Sequence, residues 1–241
     1  MMFHQLTNKI LATITALVVG FAMSTTAMAG ADEGSMARGG KLYDKWYKVL
    51  KVDAPKESHK LYPADKKYAD KPGANWRCKE CHGWDGLGRD GAYATGKHAS
   101  GIVGINGMIG ADPAAIIAIM TSEDHGYGDK LNQVDLTDLA NFVAFGQVDM
   151  ALYIDPKTKA IKGGDAARGK PFYETLCITC HAVDGKLPKD MTPLGGQMGN
   201  PWEVIHKILN GQPAEGMPAL RALDRQITVD VMAYITTLPK E

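Results

Sequence analysis

Cysteine is scarce in this 241-residue chain, and neither sign of charge is in excess. Lysine and arginine number 27, aspartate and glutamate 27, so the formal net charge is zero. A neutral chain without a recognisable module gives no basis for nucleic-acid binding, which draws on clustered basic charge. Aromatic residues make up only 7%, so domains of roughly 100 residues cut from this sequence would have small cores of their own. After residue 29 no apolar run approaches the roughly 20 residues of a membrane span. The glycine-rich stretch Gly83-Trp84-Asp85-Gly86-Leu87-Gly88-Arg89-Asp90-Gly91 lacks the Gly-Lys-Ser/Thr ending of a phosphate loop, which argues against nucleotide binding there.

The four cysteines that are present all fall in two copies of one pattern, Cys78-Lys79-Glu80-Cys81-His82 and Cys177-Ile178-Thr179-Cys180-His181. Cys-x-x-Cys-His is the attachment signature of c-type haem. Two thiols join the haem vinyl groups as thioethers, and the histidine that follows becomes the proximal iron ligand. A zinc knuckle would gather its ligands within one compact segment, whereas these pairs lie nearly a hundred residues apart and each carries the same trailing histidine. Two covalently bound haem c groups are therefore expected.

His4 and Lys9 precede an apolar run from Ile10 to Met23 that closes on Ala27-Met28-Ala29. That is the layout of a secretory signal peptide over residues 1–29, cut before Gly30, with a retained N-terminal anchor as the alternative. Export to the periplasm is expected, because c-type haem is attached outside the bacterial cytoplasm.

The remainder reads as an internal duplication. Ala37-Arg38-Gly39-Gly40-Lys41-Leu42-Tyr43 is echoed by Ala167-Arg168-Gly169-Lys170-Pro171-Phe172-Tyr173. Leu42, Tyr43, Trp46, Tyr47 and Leu50 repeat at helical spacing, with Ser35 placed to cap the first helix and Asp165 its counterpart. Asp112-Pro113 and Asn200-Pro201 each open a further helix. Leu136, Leu139, Ala140 and Val143 close the first half, and Ile227, Val231, Tyr234, Ile235 and Leu238 the second. Residues 147–164, with Pro156 and Gly163-Gly164, read as a linker.

The first half also carries an insertion at about residues 45–77, with Pro55, Pro63 and Pro72 and eight lysines. It is expected either to dock an acidic partner, since complementary charge speeds encounter, or to lie as a solvated loop over the haem edge. Arg38 and Arg168 recur at matching places, where they would approach haem propionates or cap helices.

The sixth ligand decides between electron transfer and catalysis. In the second half Met217, between Gly216 and Pro218, is expected to supply it from a loop. For the first half, residues 138–143 match 230–235 at a shift of 92, which sets His125 opposite Met217. Aligning Pro113 with Pro201 instead sets Met120 opposite Ile208 on a helix face. His125 is the expected ligand, with Met120, His98, Met108 or an open site as alternatives. His59, His98 and His206 are otherwise expected at the surface or in supporting roles. A bis-histidine first haem would have the lower potential, so electrons would pass toward a His/Met second haem.

On these residues the chain resembles tandem class I cytochromes c, and is similar to the dihaem cytochromes of bacterial respiratory chains. The resemblance implies a mainly α fold of two tandem cytochrome c-like helical domains, residues 30–146 and 165–241, each wrapped around one haem. It also implies that an N-terminal helix crosses a C-terminal helix at a glycine and an aromatic, matched here by Gly39 and Tyr43 with Phe142, and by Gly169 and Phe172 with Tyr234. The insertion and His125 depart from the simplest members, in which both irons resemble His/Met sites.

The expected function is a periplasmic carrier of single electrons between soluble or membrane-bound redox proteins. Two alternatives stand beside it. One is a dihaem peroxidase-like enzyme, which would have to release His125, with Gly126 and Gly128 as hinges. The other is a permanent electron-transfer subunit docked through the insertion. Thiosulfate dehydrogenases resemble the chain less well, because they use an axial cysteine and no fifth cysteine exists here.

Overall fold

The computed structural model describes residues 32–241, so the expected signal peptide lies outside the described residues. Ten α-helices follow in order: α1 Glu33–Val49, α2 Pro72–Asn75, α3 Cys78–His82, α4 Pro113–Met120, α5 Gln133–Asn141, α6 Ala166–Leu176, α7 Ile178–His181, α8 Leu194–Gln197, α9 Pro201–Asn210 and α10 Arg225–Ile235. Among the described residues extended pairing is limited to two isolated bridges, Gly88 with Val103 and Ile154 with Ile161. The chain is mainly helical, as expected, and no described helix is long and apolar enough to cross a membrane.

Two helix crossings organise the molecule. In the first, α1 lies on α5 and on the wide turn Phe142–Gly146 that prolongs it. In the second, α6 lies on α10. Both depend on a glycine where the helices touch: a Cβ on Gly39 would stand 2.0 Å from the Asp138 carbonyl oxygen, and one on Gly169 would stand 2.0 Å from that of Asp230. A side chain at either position would force the axes apart. Tyr43 packs on Phe142 at 5.2 Å between ring centroids, and Tyr173, not Phe172, packs on Tyr234 at the same 5.2 Å. The expected pairing through Phe172 is corrected by helix geometry: Gly169 and Tyr173 are four apart and share a face, as Gly39 and Tyr43 do.

Each crossing is pinned by charge. Arg38 donates to Asp138 at 2.7 Å and also to Asp135, while Arg168 grips Asp230 with two bonds of 2.8 Å. These guanidinium groups are therefore engaged by carboxylates of α5 and α10. The cap expected at Ser35 is also corrected. Helix α1 begins three residues earlier, after Asp32, and the Ser35 hydroxyl donates across the crossing to Asp138 at 2.6 Å. Asp112 and Asp165 do cap α4 and α6, whereas Asn200 precedes α9 without a side-chain cap.

Helix α9 packs on α1, because Gly40 leaves room for the Asn210 side chain, 2.3 Å from where a Cβ would be. His206 on α9 donates from Nε2 to the Gly40 carbonyl at 2.9 Å and is 2% exposed. Beside it the Asp44 carboxylate accepts from Lys207 at 2.5 Å and from Arg77. Burial alone would raise that carboxyl, but Lys207 and Arg77 overcome it and hold it near 2. Arg221, also buried, donates to Asn210 and to the Gly146 carbonyl. Residues 147–164 lie against this core, with Met150 and Ile154 buried in it.

Candidate haem-attachment sites

Both Cys-x-x-Cys-His segments form a single short helical turn, α3 for the first and α7 with the preceding Cys177 for the second. One turn brings the two sulfurs to the same side of the chain, the arrangement two thioether bonds to one ring require. All four thiols are free. Burial pushes the Cys78 and Cys177 thiols up to about 11 and the Cys81 thiol to about 12. Among the described residues no three His, Cys, Asp or Glu side chains gather as a metal cluster.

The two histidines are held alike. His82 Nδ1 meets the Val103 carbonyl at 2.8 Å, and His181 Nδ1 meets the Leu187 carbonyl at 3.1 Å. A carbonyl can only accept, so Nδ1 carries the proton and the Nε2 lone pair is left for a metal. Directly after each histidine the chain turns through a left-handed residue, Gly83 at φ 78° and Ala182 at φ 61°. The carbonyl of that residue accepts the hydroxyl of the crossing tyrosine: Tyr43 to Gly83 at 2.6 Å, Tyr173 to Ala182 at 2.7 Å. The helix crossing thereby fixes the attachment turn in both halves. The repeated Gly-x-x-x-Tyr of α1 and α6 carried that signal in the sequence.

Donor chemistry, free thiols and imidazole orientation all fit a covalently held haem, with Cys78, Cys81 and His82 at one site and Cys177, Cys180 and His181 at the other. Of the expected sixth ligands, Met217 is half-buried in the loop between α9 and α10 and packs on the same core cluster as Cys177. His125 is half-buried in the turn between α4 and α5. After burial and the Val103 hydrogen bond, its charge is the next influence on His82, followed by that of His59, and the pKa of His82 is lowered. Met120 is buried in the core of α4, its expected packing role.

The remaining histidines are tied into the fold by hydrogen bonds. Half-buried His98 donates from Nδ1 to the Glu80 carboxylate at 2.7 Å and stacks between Tyr68 and Tyr93, at 5.1 and 4.8 Å. It thus braces the acidic residue inside the first attachment motif. His59 is 5% exposed and donates from Nε2 to the His125 carbonyl at 3.0 Å. Both belong to supporting roles rather than the surface, and their long-range partners were not visible in local patterning.

Residues 164–235 match the family model described as cytochrome C oxidase, cbb3-type, subunit III. The segment contains the Cys177–His181 turn, the α6–α10 crossing and Met217, and a cytochrome c domain of this kind implies covalently bound haem c. No curated protein matches the chain. Among solved structures, a chain of the reducing HAO-like protein complex of Kuenenia stuttgartiensis aligns over 77% of this chain and 99% of its own, at 14% identity and a TM-score of 0.28. That superposition is too loose to bear on fold or function.

Proposed function

We propose that the protein is a dihaem c-type cytochrome that carries single electrons between redox proteins of the periplasm, with domain 1 over residues 30–146, a linker at 147–164 and domain 2 over 165–241. The observation that carries this reading is the repetition of one local geometry. In both halves a glycine crossing, a tyrosine hydroxyl on the carbonyl after the histidine and a carbonyl on Nδ1 surround a Cys-x-x-Cys-His turn. Haem attached at such a turn supplies reversible one-electron exchange between ferric and ferrous iron. The protein's part would be to hold the haems through His82 and His181 and to offer His125 and Met217 as the second protein ligands. A bis-histidine site and a His/Met site differ in potential, the softer thioether favouring the reduced iron.

The tethering of the His125 carbonyl by His59 favours the carrier over the peroxidase-like reading, because an enzyme that admits peroxide must first free that loop. Redox partners are expected to be proteins, with the lysine-bearing surface of the insertion available to an acidic one.

Intact-mass measurement of purified holoprotein, combined with low-temperature paramagnetic resonance, tests the proposal. Two haem additions and two low-spin ferric signals are expected. One addition, or a high-spin signal from an open iron, would remove the dihaem carrier from consideration.

A further inference from the structure

The insertion at residues 45–77 contributes more to the interior than its lysines suggest. Helix α1 is kinked at Lys45, whose extended backbone (φ −159°, ψ 76°) frees the Asp44 carbonyl to accept from Arg77 Nε at 2.7 Å. Between these two points the chain folds around Asn75, which is 1% exposed. Its side-chain nitrogen donates to the carbonyls of Tyr68 and Ala69, and its oxygen accepts from the backbone N–H of His59 at 2.9 Å.

His59 is thereby fixed in position and in tautomer. Its Nδ1 accepts from the Leu61 N–H at 3.2 Å, so the proton lies on Nε2, which donates to the His125 carbonyl at 3.0 Å. The ring stands edge-on to Trp76 at 4.4 Å. The Trp76 carbonyl in turn accepts from Trp46 Nε1 and from the hydroxyl of Tyr127, each at 3.0 Å. The loop is therefore held at two points, the carbonyl of residue 125 itself and Tyr127 two residues on. Gly126, at φ 65°, lets the chain pass against the Trp76 ring between the two holds. The exposed Lys60–Asp124 pair at 3.2 Å adds little in water.

We propose that His59 is a positioning residue which, together with Tyr127 and through the platform of Trp76, clamps the His125 loop closed over the first haem, and that the insertion is an internal buttress for that loop. This rests on the reading of His125 as the sixth ligand. A ligand on a tethered loop that leaves the iron is returned by its anchors before an outside ligand can take its place. Removing an anchor lengthens the open interval.

The experiment follows cyanide binding to the oxidised holoprotein, a reaction limited by departure of the sixth ligand. His59→Leu is expected to speed binding at one haem by about tenfold, the factor that roughly 1.4 kcal/mol represents. His59→Gln keeps an N–H donor on a comparable reach and should stay near the wild-type rate. Tyr127→Phe loses one hydroxyl with no change of shape, so it keeps the test open if the leucine variant does not fold, and should give a smaller increase. Cyanide rates unchanged in both His59→Leu and Tyr127→Phe would overturn the clamp. The His125 reading is checked separately: His125→Met should add a second weak methionine-to-iron absorbance band. If that band appears while the cyanide rates of the other variants stay at the wild-type value, the clamp alone fails. If it does not appear, the ligand assignment fails and takes the clamp with it.

Discussion

His206 offers a direct test of how the two halves are joined. Its ring is buried between Trp84, Phe142 and Tyr43, at 5.0, 5.5 and 5.9 Å, and is committed as a donor to the Gly40 carbonyl. Burial is the strongest influence on it. Asp44 and the Gly40 bond favour the proton, Lys207 and Arg221 oppose it, and the result is a pKa pushed down to about 4. An unfolded chain takes up this proton near pH 6.5, whereas the folded protein resists until about pH 4. The unfolded state therefore binds more protons in that window, and stability rises with pH through it. The contribution is complete above about pH 6.5 and is lost progressively as pH falls toward 4. The gap corresponds to about 3 kcal/mol. Urea unfolding of the holoprotein between about pH 7.5 and pH 4.5 would be compared with His206→Gln, which keeps an N–H donor for the Gly40 carbonyl but does not titrate. Groups common to both proteins, including His82 and His181, cancel in the difference. The stability of the wild type relative to the variant should fall by about 2–3 kcal/mol over this range. A flat difference would falsify the buried neutral histidine. A difference of opposite slope would mean that His206 is folded as a cation paired with Asp44.

Three further outcomes follow from the same geometry. Gly39→Ala and Gly169→Ala each drive a methyl into a carbonyl at the helix crossing and should each cost about 1–3 kcal/mol in urea unfolding; a neutral result would mean that the crossings are looser than described. Asp44→Asn removes the carboxylate shared by two partly buried cations, Arg77 and Lys207, and should destabilise the holoprotein by about 1.5–3 kcal/mol at neutral pH, a loss absent if the pairs are already broken in solution. Tyr173→Phe removes the hydroxyl from the Ala182 carbonyl and should cost about 1 kcal/mol with faster hydrogen exchange around the second attachment turn; unaltered exchange there would argue against a tyrosine tether.

Local signals were legible in the sequence. The attachment turns, the caps at Asp112 and Asp165, and the crossing glycines follow from spacing and from residue types that tolerate few alternatives. The misreadings arose where two local explanations competed and a distant partner chose between them. Ser35 looked like a cap, but Asp138, more than a hundred residues away, takes its hydroxyl. Phe172 and Tyr173 both suit a helix face, and the need for a hydroxyl next to the Ala182 carbonyl picks the tyrosine. Charge pairing across the interface left no periodic trace, so Asp44, His206 and Arg221 gave no signal. The insertion was read for its net charge because lysines are conspicuous, whereas its structural work is done by one asparagine, one histidine and one tryptophan.

The sharing of α1 between α5 and α9 bears on how the protein is made. Domains generally fold in order of synthesis, N-terminal first, and here the first described helix finds its last partner only at residues 201–210. The Cys78–His82 turn precedes Lys207 and His206, which close around Asp44 and Gly40, by more than a hundred residues. Until those residues dock, Arg77 has Asp44 to itself and the wall beside Trp84 is missing. The Cys78–His82 turn thus stands in an unfinished pocket until α9 docks, and the later half of the chain closes the earlier one.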